Sequence, residues 1–198
     1  MQLTWFSVVV IASFVASAVR AAPNVKEACG TDGEVISTNT FVHNEKEYSV
    51  TTRSCPGFAS LRGNVTDTQS IAGRAAMPKQ KRQLVNCNID CSVECEDIAD
   101  QATENACYVL SEAVQAQDPD YFIAPAQTLT TFSDGGECEY GYANLDVVEY
   151  EVCYEDIGNN GLRVAALCFD LDGIISTGGY CVSPEVADND WILEVFYD

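Results

Sequence analysis

The chain has 198 residues, enough for one ordinary domain and a further segment, and its 47% hydrophobic content is that of a globular protein. The formal charge is −20, and it is unevenly placed: residues 1–82 carry 9 bases and 6 acids, whereas residues 83–198 carry 24 acids and a single base, Arg163. That scarcity of Lys and Arg excludes nucleic-acid binding and docking on anionic lipid, and the absence of His after His43 excludes every His-based mechanism from residues 83–198.

Trp5 to Val15 is apolar with scattered Ser and is followed by Ala16, Ser17 and Ala18. This predicts a secretory signal peptide over residues 1–21, cleaved after Ala18 or Ala21. Its apolar run is shorter than the ~20 residues that a membrane span needs. Residues 22–82 read as a small pro-segment or N-terminal extension. Within it Thr38–Val42 and Glu47–Thr51 are β-prone and predict a hairpin. Asn64-Val65-Thr66 is an N-glycosylation sequon. The lone His43 is assigned no role.

The extension ends in Gly73-Arg74-Ala75-Ala76-Met77-Pro78-Lys79-Gln80-Lys81-Arg82, which has no acid and no hydrophobic periodicity. Lys81-Arg82 is a dibasic pair of the kind that secretory processing proteases cut, which would make Gln83 a mature N-terminus.

Residues 83–198 predict a mixed α and β domain. Cys91, Cys95, Ile98, Ala102 and Ala106 recur at helical spacing, and Val109, Leu110, Ala113 and Val114 continue that face until Asp118-Pro119 stops it. Strands are expected at Tyr121–Ile123, at Thr128–Phe132, and at a segment with Cys138, Tyr140, Tyr142 and Asn144 on one face and Glu139, Gly141 and Ala143 on the other. Leu162–Phe169 predicts a second helix, although Gly158-Asn159-Asn160-Gly161 before it weakens that pattern. Trp191–Tyr197 predicts a final strand.

The ten cysteines are Cys29, Cys55, Cys87, Cys91, Cys95, Cys107, Cys138, Cys153, Cys168 and Cys181. An even count behind a signal peptide implies disulfides rather than a zinc site, since Cys87-x3-Cys91-x3-Cys95 lacks the usual ligand spacing and any nearby His. Two cysteines precede the dibasic pair and eight follow it, so each piece can pair internally, but eight cysteines allow 105 pairings and spacing does not choose among them.

Few chemistries remain. A phosphate-cradling glycine loop is absent. Asp170-Leu171-Asp172-Gly173 begins like a calcium loop, but its twelfth position is Cys181 rather than Glu. A carboxylate pair acting on a glycoside is compatible with the composition, yet 24 acids supply such pairs by chance. No enzyme activity, cofactor or metal is expected. The aromatic inventory is more informative, because sugar faces stack on Trp and Tyr while nearby amides bind hydroxyls. Tyr140, Tyr142 and Asn144 on one strand, with Trp191, form a candidate sugar platform. The alternative is that these rings fill the core, since Cys138 shares their face.

The pattern Cys87-x3-Cys91-x3-Cys95, Cys107-Tyr-Val-Leu-Ser-Glu-Ala, Cys138, Cys153 and Cys168, then Gly178-Gly179-Tyr180-Cys181 and Trp191-Ile192-Leu193-Glu194-Val195, resembles a group of small secreted cysteine-rich proteins of basidiomycete fungi. That group is similar to a mushroom glycan-binding, lectin-like (Y-three-like) family and, more distantly, to necrosis-inducing effectors and killer toxins. Cys55-Pro56-Gly57 and the dibasic pair resemble the family's N-terminal segment. The resemblance implies an α+β fold, a compact disulfide-rich sandwich with a mostly antiparallel sheet packed by one or two helices. It also implies a secreted, extracellular glycan-binding module; the alternative is an effector acting on a host or competitor protein. The acidity restricts the partner to a neutral or cationic glycan or a cell-surface glycoprotein. Near pH 4, where carboxylates titrate, self-repulsion relaxes and self-association is expected.

Overall fold

The computed structural model describes residues 25–30, 33–59, 84–88, 90–96, 102–169, 178–183 and 190–196, with backbone alone at 84–86. The expected signal peptide, the Asn64 sequon, Lys81-Arg82 and Asp170-Leu171-Asp172-Gly173 lie outside them.

The described residues form an α+β sandwich. In chain order the elements are α1 (Val25–Cys29), β1 (Val35–His43), β2 (Lys46–Ser54), β3 (Leu84–Asn86), β4 (Ser92–Glu96), α2 (Glu104–Gln115), β5 (Tyr121–Ala124), β6 (Thr128–Ser133), β7 (Glu139–Asn144), β8 (Tyr150–Cys153), α3 (Tyr154–Cys168), β9 (Gly178–Val182) and β10 (Trp191–Phe196). A seven-stranded sheet runs β1-β2-β6-β7-β10-β9-β4, and every neighbouring pair is antiparallel. A second sheet, β3-β8-β5, pairs β3 with β8 in parallel and β5 with β8 antiparallel.

Alternation on the strands divides the large sheet into two faces. On the inner face, Phe132 of β6, Tyr140 and Tyr142 of β7, and Trp191, Leu193 and Val195 of β10 join the main core with Leu110, Ala113 and Val114 of α2 and Val164 and Ala165 of α3. On the outer face, Leu129, Ala143, Tyr180 and Ile192 join a smaller core with Val25 and Cys29 of α1, Cys55 and Phe58.

The hairpin and the strands expected at 121–123, 128–132, 138–144 and 191–197 are all present, with small shifts at their ends. The long helical pattern from Cys91 is corrected. Thr103 caps α2, its side-chain oxygen accepting the Ala106 N–H at 3.2 Å, so the helix starts there. Cys91 instead precedes, and Cys95 lies within, the edge strand β4 paired with β9. A spacing of four puts two residues on one face of a strand as well as of a helix, so these two cysteines fit either period.

The glycines that weakened the second helix lie in the middle of α3. A Cβ on Gly158 would meet the Gln115 side chain at 2.5 Å and the Ser111 carbonyl at 2.9 Å. One on Gly161 would lie 2.6 Å from the Tyr140 ring. Glycine there lets α3 approach both α2 and the sheet, a gain that offsets its low helix propensity of about 1 kcal/mol. Ser111 Oγ fastens the approach by donating to the Gly158 carbonyl at 2.8 Å.

All ten cysteines are paired, as Cys29–Cys55, Cys87–Cys153, Cys91–Cys181, Cys95–Cys168 and Cys107–Cys138. Each bond limits the unfolded chain and adds roughly 2–4 kcal/mol in small domains. Among the described residues, no helix is long and apolar enough to cross a membrane.

Candidate functional site

The structure places the four aromatic and amide candidates inside the protein. Tyr140 is fully buried and its hydroxyl donates to the Cys107 carbonyl at 2.6 Å, while burial pushes its phenol well above the usual range. Tyr142 stacks on Trp191 with ring centroids 5.7 Å apart and meets Phe122 edge-on at 5.9 Å. Asn144 is a structural clamp. Its Nδ2 donates towards the carbonyls of Ala124, Pro125 and Val148 at 2.9–3.0 Å, and its Oδ1 accepts from the Asp146 N–H at 3.0 Å. Trp191 is 4% exposed, and its Nε1 has no hydrogen-bond partner among the described residues. The gap beside Trp191 and Tyr142 holds about 10 Å³, too little for a sugar ring. These residues are brought together, but as core, and their faces are not presented to a ligand.

A larger cleft lies on the outer face. It has a volume of about 320 Å³, at the lower end of the range of small-ligand sites. Its lining alternates along adjacent strands: Ser49, Thr51 and Arg53 of β2, Leu129, Thr131 and Ser133 of β6, then Glu139 of β7. Lys26, Cys29 and Gly30 of the α1 region, with Gly135 after β6, complete it. Antiparallel pairing sets Ser49 opposite Ser133, Thr51 opposite Thr131 and Arg53 opposite Leu129. The hydroxyls therefore form a two-strand array, and it continues outward to Thr38 and Thr40 of β1, which face Thr51 and Ser49.

The electrostatics of the cleft differ from those of the protein as a whole. Lys26 Nζ lies 3.5 Å from the buried Glu139 carboxylate and 4.7 Å from the Phe196 ring, so that cation is engaged. Among the described residues the Arg53 guanidinium has no ion-pair partner. At one end of the array Lys46 meets Asp134 at 2.6 Å. Burial pushes the Asp134 carboxyl up, but Lys46 and the amides of Gly136 and Glu137 outweigh it and hold it below the usual carboxylate range.

Beside the cleft, under α1, Glu194 of β10 accepts the Val25 N–H at 3.1 Å. Burial, reinforced by the charge of Glu96, pushes its carboxyl up to about 7. Glu96 is itself raised, by burial and then by Glu94. The grouping Cys87, Cys153 and Asp156 has donor atoms within 4.8 Å of one another, but the two sulfurs are joined in a disulfide and offer no thiolates.

The cleft residues were not singled out from the sequence. The signal was there in the polar alternation Ser49-x-Thr51-x-Arg53 and Leu129-x-Thr131-x-Ser133, but which strands adjoin, and that α1 walls one side, depends on the pairing of β2 with β6 across 73 intervening residues in the chain. Compared with known proteins, the chain matches no family model, no curated protein and no solved structure.

Proposed function

We propose that this protein is a secreted, non-enzymatic glycan-binding module and that the outer-face cleft is its binding site. The observation that carries the reading is the cleft itself, a 320 Å³ concavity floored by Ser49, Thr51, Thr131 and Ser133 with Arg53 at one side. Hydroxyls both donate and accept, which suits a polyhydroxylated ligand that does the same. Arg53 adds a planar fork of donors able to bridge two adjacent sugar oxygens. The apolar edge of Leu129 gives a small surface for the C–H face of a ring. Five disulfides agree with an oxidising compartment, and the expected signal peptide supplies the route to it. The net charge of −20 disfavours acidic glycans at long range, so an uncharged glycan is the ligand class.

A glycan array probed with the intact protein tests this. Binding to neutral fucosylated or GalNAc-containing glycans, chitin fragments or β-glucans, lost on Arg53→Ala and Thr131→Ala, is the expected result. Silence across all of these sinks the reading. It leaves the alternative, an effector acting on a host or competitor protein, for which the half-exposed Val35 and Ile36 and the exposed Val42 on edge strand β1 offer an apolar contact surface. Leaf infiltration and growth-inhibition assays measure that activity.

A further inference from the structure

The pairing of the cysteines divides the molecule. Cys29–Cys55 closes within residues 25–59, and the other four disulfides close within residues 87–181. None joins the two parts, and no cysteine is left free to do so. Yet residues 25–59 are built into the fold. β2 adds to the edge of β6 along six residue pairs, Ser49–Ser133 to Ser54–Thr128. The Cys55 N–H donates to the Gln127 carbonyl at 2.8 Å, and the Thr52 and Thr130 hydroxyls share a buried hydrogen bond at 3.1 Å. Phe58, Val25, Cys29 and Cys55 complete the outer core on Leu129, Ala143, Leu145, Tyr180 and Ile192. Lys26–Glu139, Lys46–Asp134 and Val25–Glu194 also cross the seam.

We propose that residues 25–59 form a separable subunit, held on the sheet without a covalent cross-link by strand addition, apolar packing and the polar contacts across the seam, and that the protein persists as a two-chain complex once the connection is cut. The connection carries Lys81-Arg82 in sequence. Hydrolysis of the Arg82–Gln83 peptide bond by a dibasic-specific endoprotease consumes one water and leaves a carboxylate on Arg82 and an amine on Gln83. The docking surface is the β6 edge with the outer face of β7 and β10, and its occupant is this chain's own α1–β1–β2 unit. The cleft straddles the seam, with Lys26, Cys29, Gly30, Ser49, Thr51 and Arg53 on one side and Leu129, Thr131, Ser133, Gly135 and Glu139 on the other. It therefore exists only while the unit stays seated, and release of the unit removes the cleft and bares the β6 edge. This goes beyond the glycan reading and does not depend on it.

The test uses the full, oxidised chain cut at Lys81-Arg82, or at a protease recognition sequence inserted between residues 60 and 83 if the dibasic pair resists. The expected result is one peak of uncut mass on native size exclusion, and two chains by mass spectrometry under denaturing, non-reducing conditions. Separation on the native column, or loss of the acidic chain from solution while the N-terminal chain remains, overturns the proposal. So does a single species under denaturing, non-reducing conditions, which would mean a cross-link. In the cut protein Phe58→Ala should weaken the complex on the order of a hundred-fold, as deletion of a buried ring does, and Val42→Ala, on the exposed side of β1, should leave it unchanged. If Phe58→Ala does not fold, Thr130→Val, which removes one partner of the seam's buried hydroxyl pair, replaces it. Equal affinity in the seam variant and wild type also overturns the proposal. Glycan binding is not read in any arm, so a negative array leaves this result standing.

Discussion

The two faces of the seven-stranded sheet follow the same alternation and meet different fates. The inner face carries Phe132, Tyr140, Tyr142, Trp191, Leu193 and Val195 and is sealed beneath α2 and α3. The outer face carries Ser49, Thr51, Arg53, Thr131 and Ser133 beside a small apolar patch and is covered in part by the five-residue α1. Large rings on the inner face hold the fold, and nothing can reach them. The hydroxyls on the outer face hold little, since their loss empties no core, and line the cleft.

The sharpest way to break this comparison is Trp191→Ala. It should cost about 3–5 kcal/mol in a chemical-denaturation experiment, because it empties packed space against Tyr142; a cost below ~1 kcal/mol would show that the inner face is not the stabilising one. Arg53→Ala is the converse. Affinity for any glycan found on the array should fall at least about tenfold, or roughly 1.4 kcal/mol, while stability changes by no more than ~0.5 kcal/mol. A large stability loss in this variant would erase the distinction between the faces.

The third prediction concerns pH and the seam under α1. Glu194 titrates near 7 in the folded chain against a usual 4.5. Between these values the folded protein holds a proton that the unfolded chain has released. Stability from this group is therefore fully present below about 4.5 and is lost as pH rises through 7. The groups facing it are Glu96, which repels it, and Lys26 with the Val25 and Lys26 amides, which favour its charge. Asp134, held low, acts oppositely, its contribution being lost on acidification below the ordinary carboxylate range. Urea midpoints should fall from pH 5 to pH 8, and Glu194→Gln should flatten that slope. An unchanged slope would remove Glu194 as its cause. The smallest effect is expected from Lys46→Ala. The lysine is 45% exposed, so losing its ion pair with Asp134 should cost only about 0.2–1 kcal/mol, read from the same midpoints.

Much of the fold was legible in local pattern. The two-residue period in 138–144 and 191–197 marked strands, and the β-prone runs flanking His43 to Lys46 marked a hairpin. The disulfide character followed from count and context, but the pairing did not, because it depends on which strands come to lie together. Cys91 and Cys95 misled for a related reason, since their spacing of four satisfies two periods at once. Gly158 and Gly161 spoke against a helix locally and are what close contact of α3 with α2 and with the sheet requires.

The rings of Tyr140, Tyr142 and Trp191 show the limit most clearly. From the sequence alone they are open to reading as a sugar platform or as core, because alternation says that residues share a face but not what covers it. The sequence by itself determined the hairpin, several of the strands and the α+β class, the oxidised cysteine character, the acidic half and the chemistries that the absence of His and Lys excludes, since these depend on neighbours in the chain. Tertiary structure alone decided which face α2 and α3 would bury, that β2 would add to β6, and that the hydroxyls of two distant strands would form one cleft, since each of these depends on contacts between residues far apart in the chain.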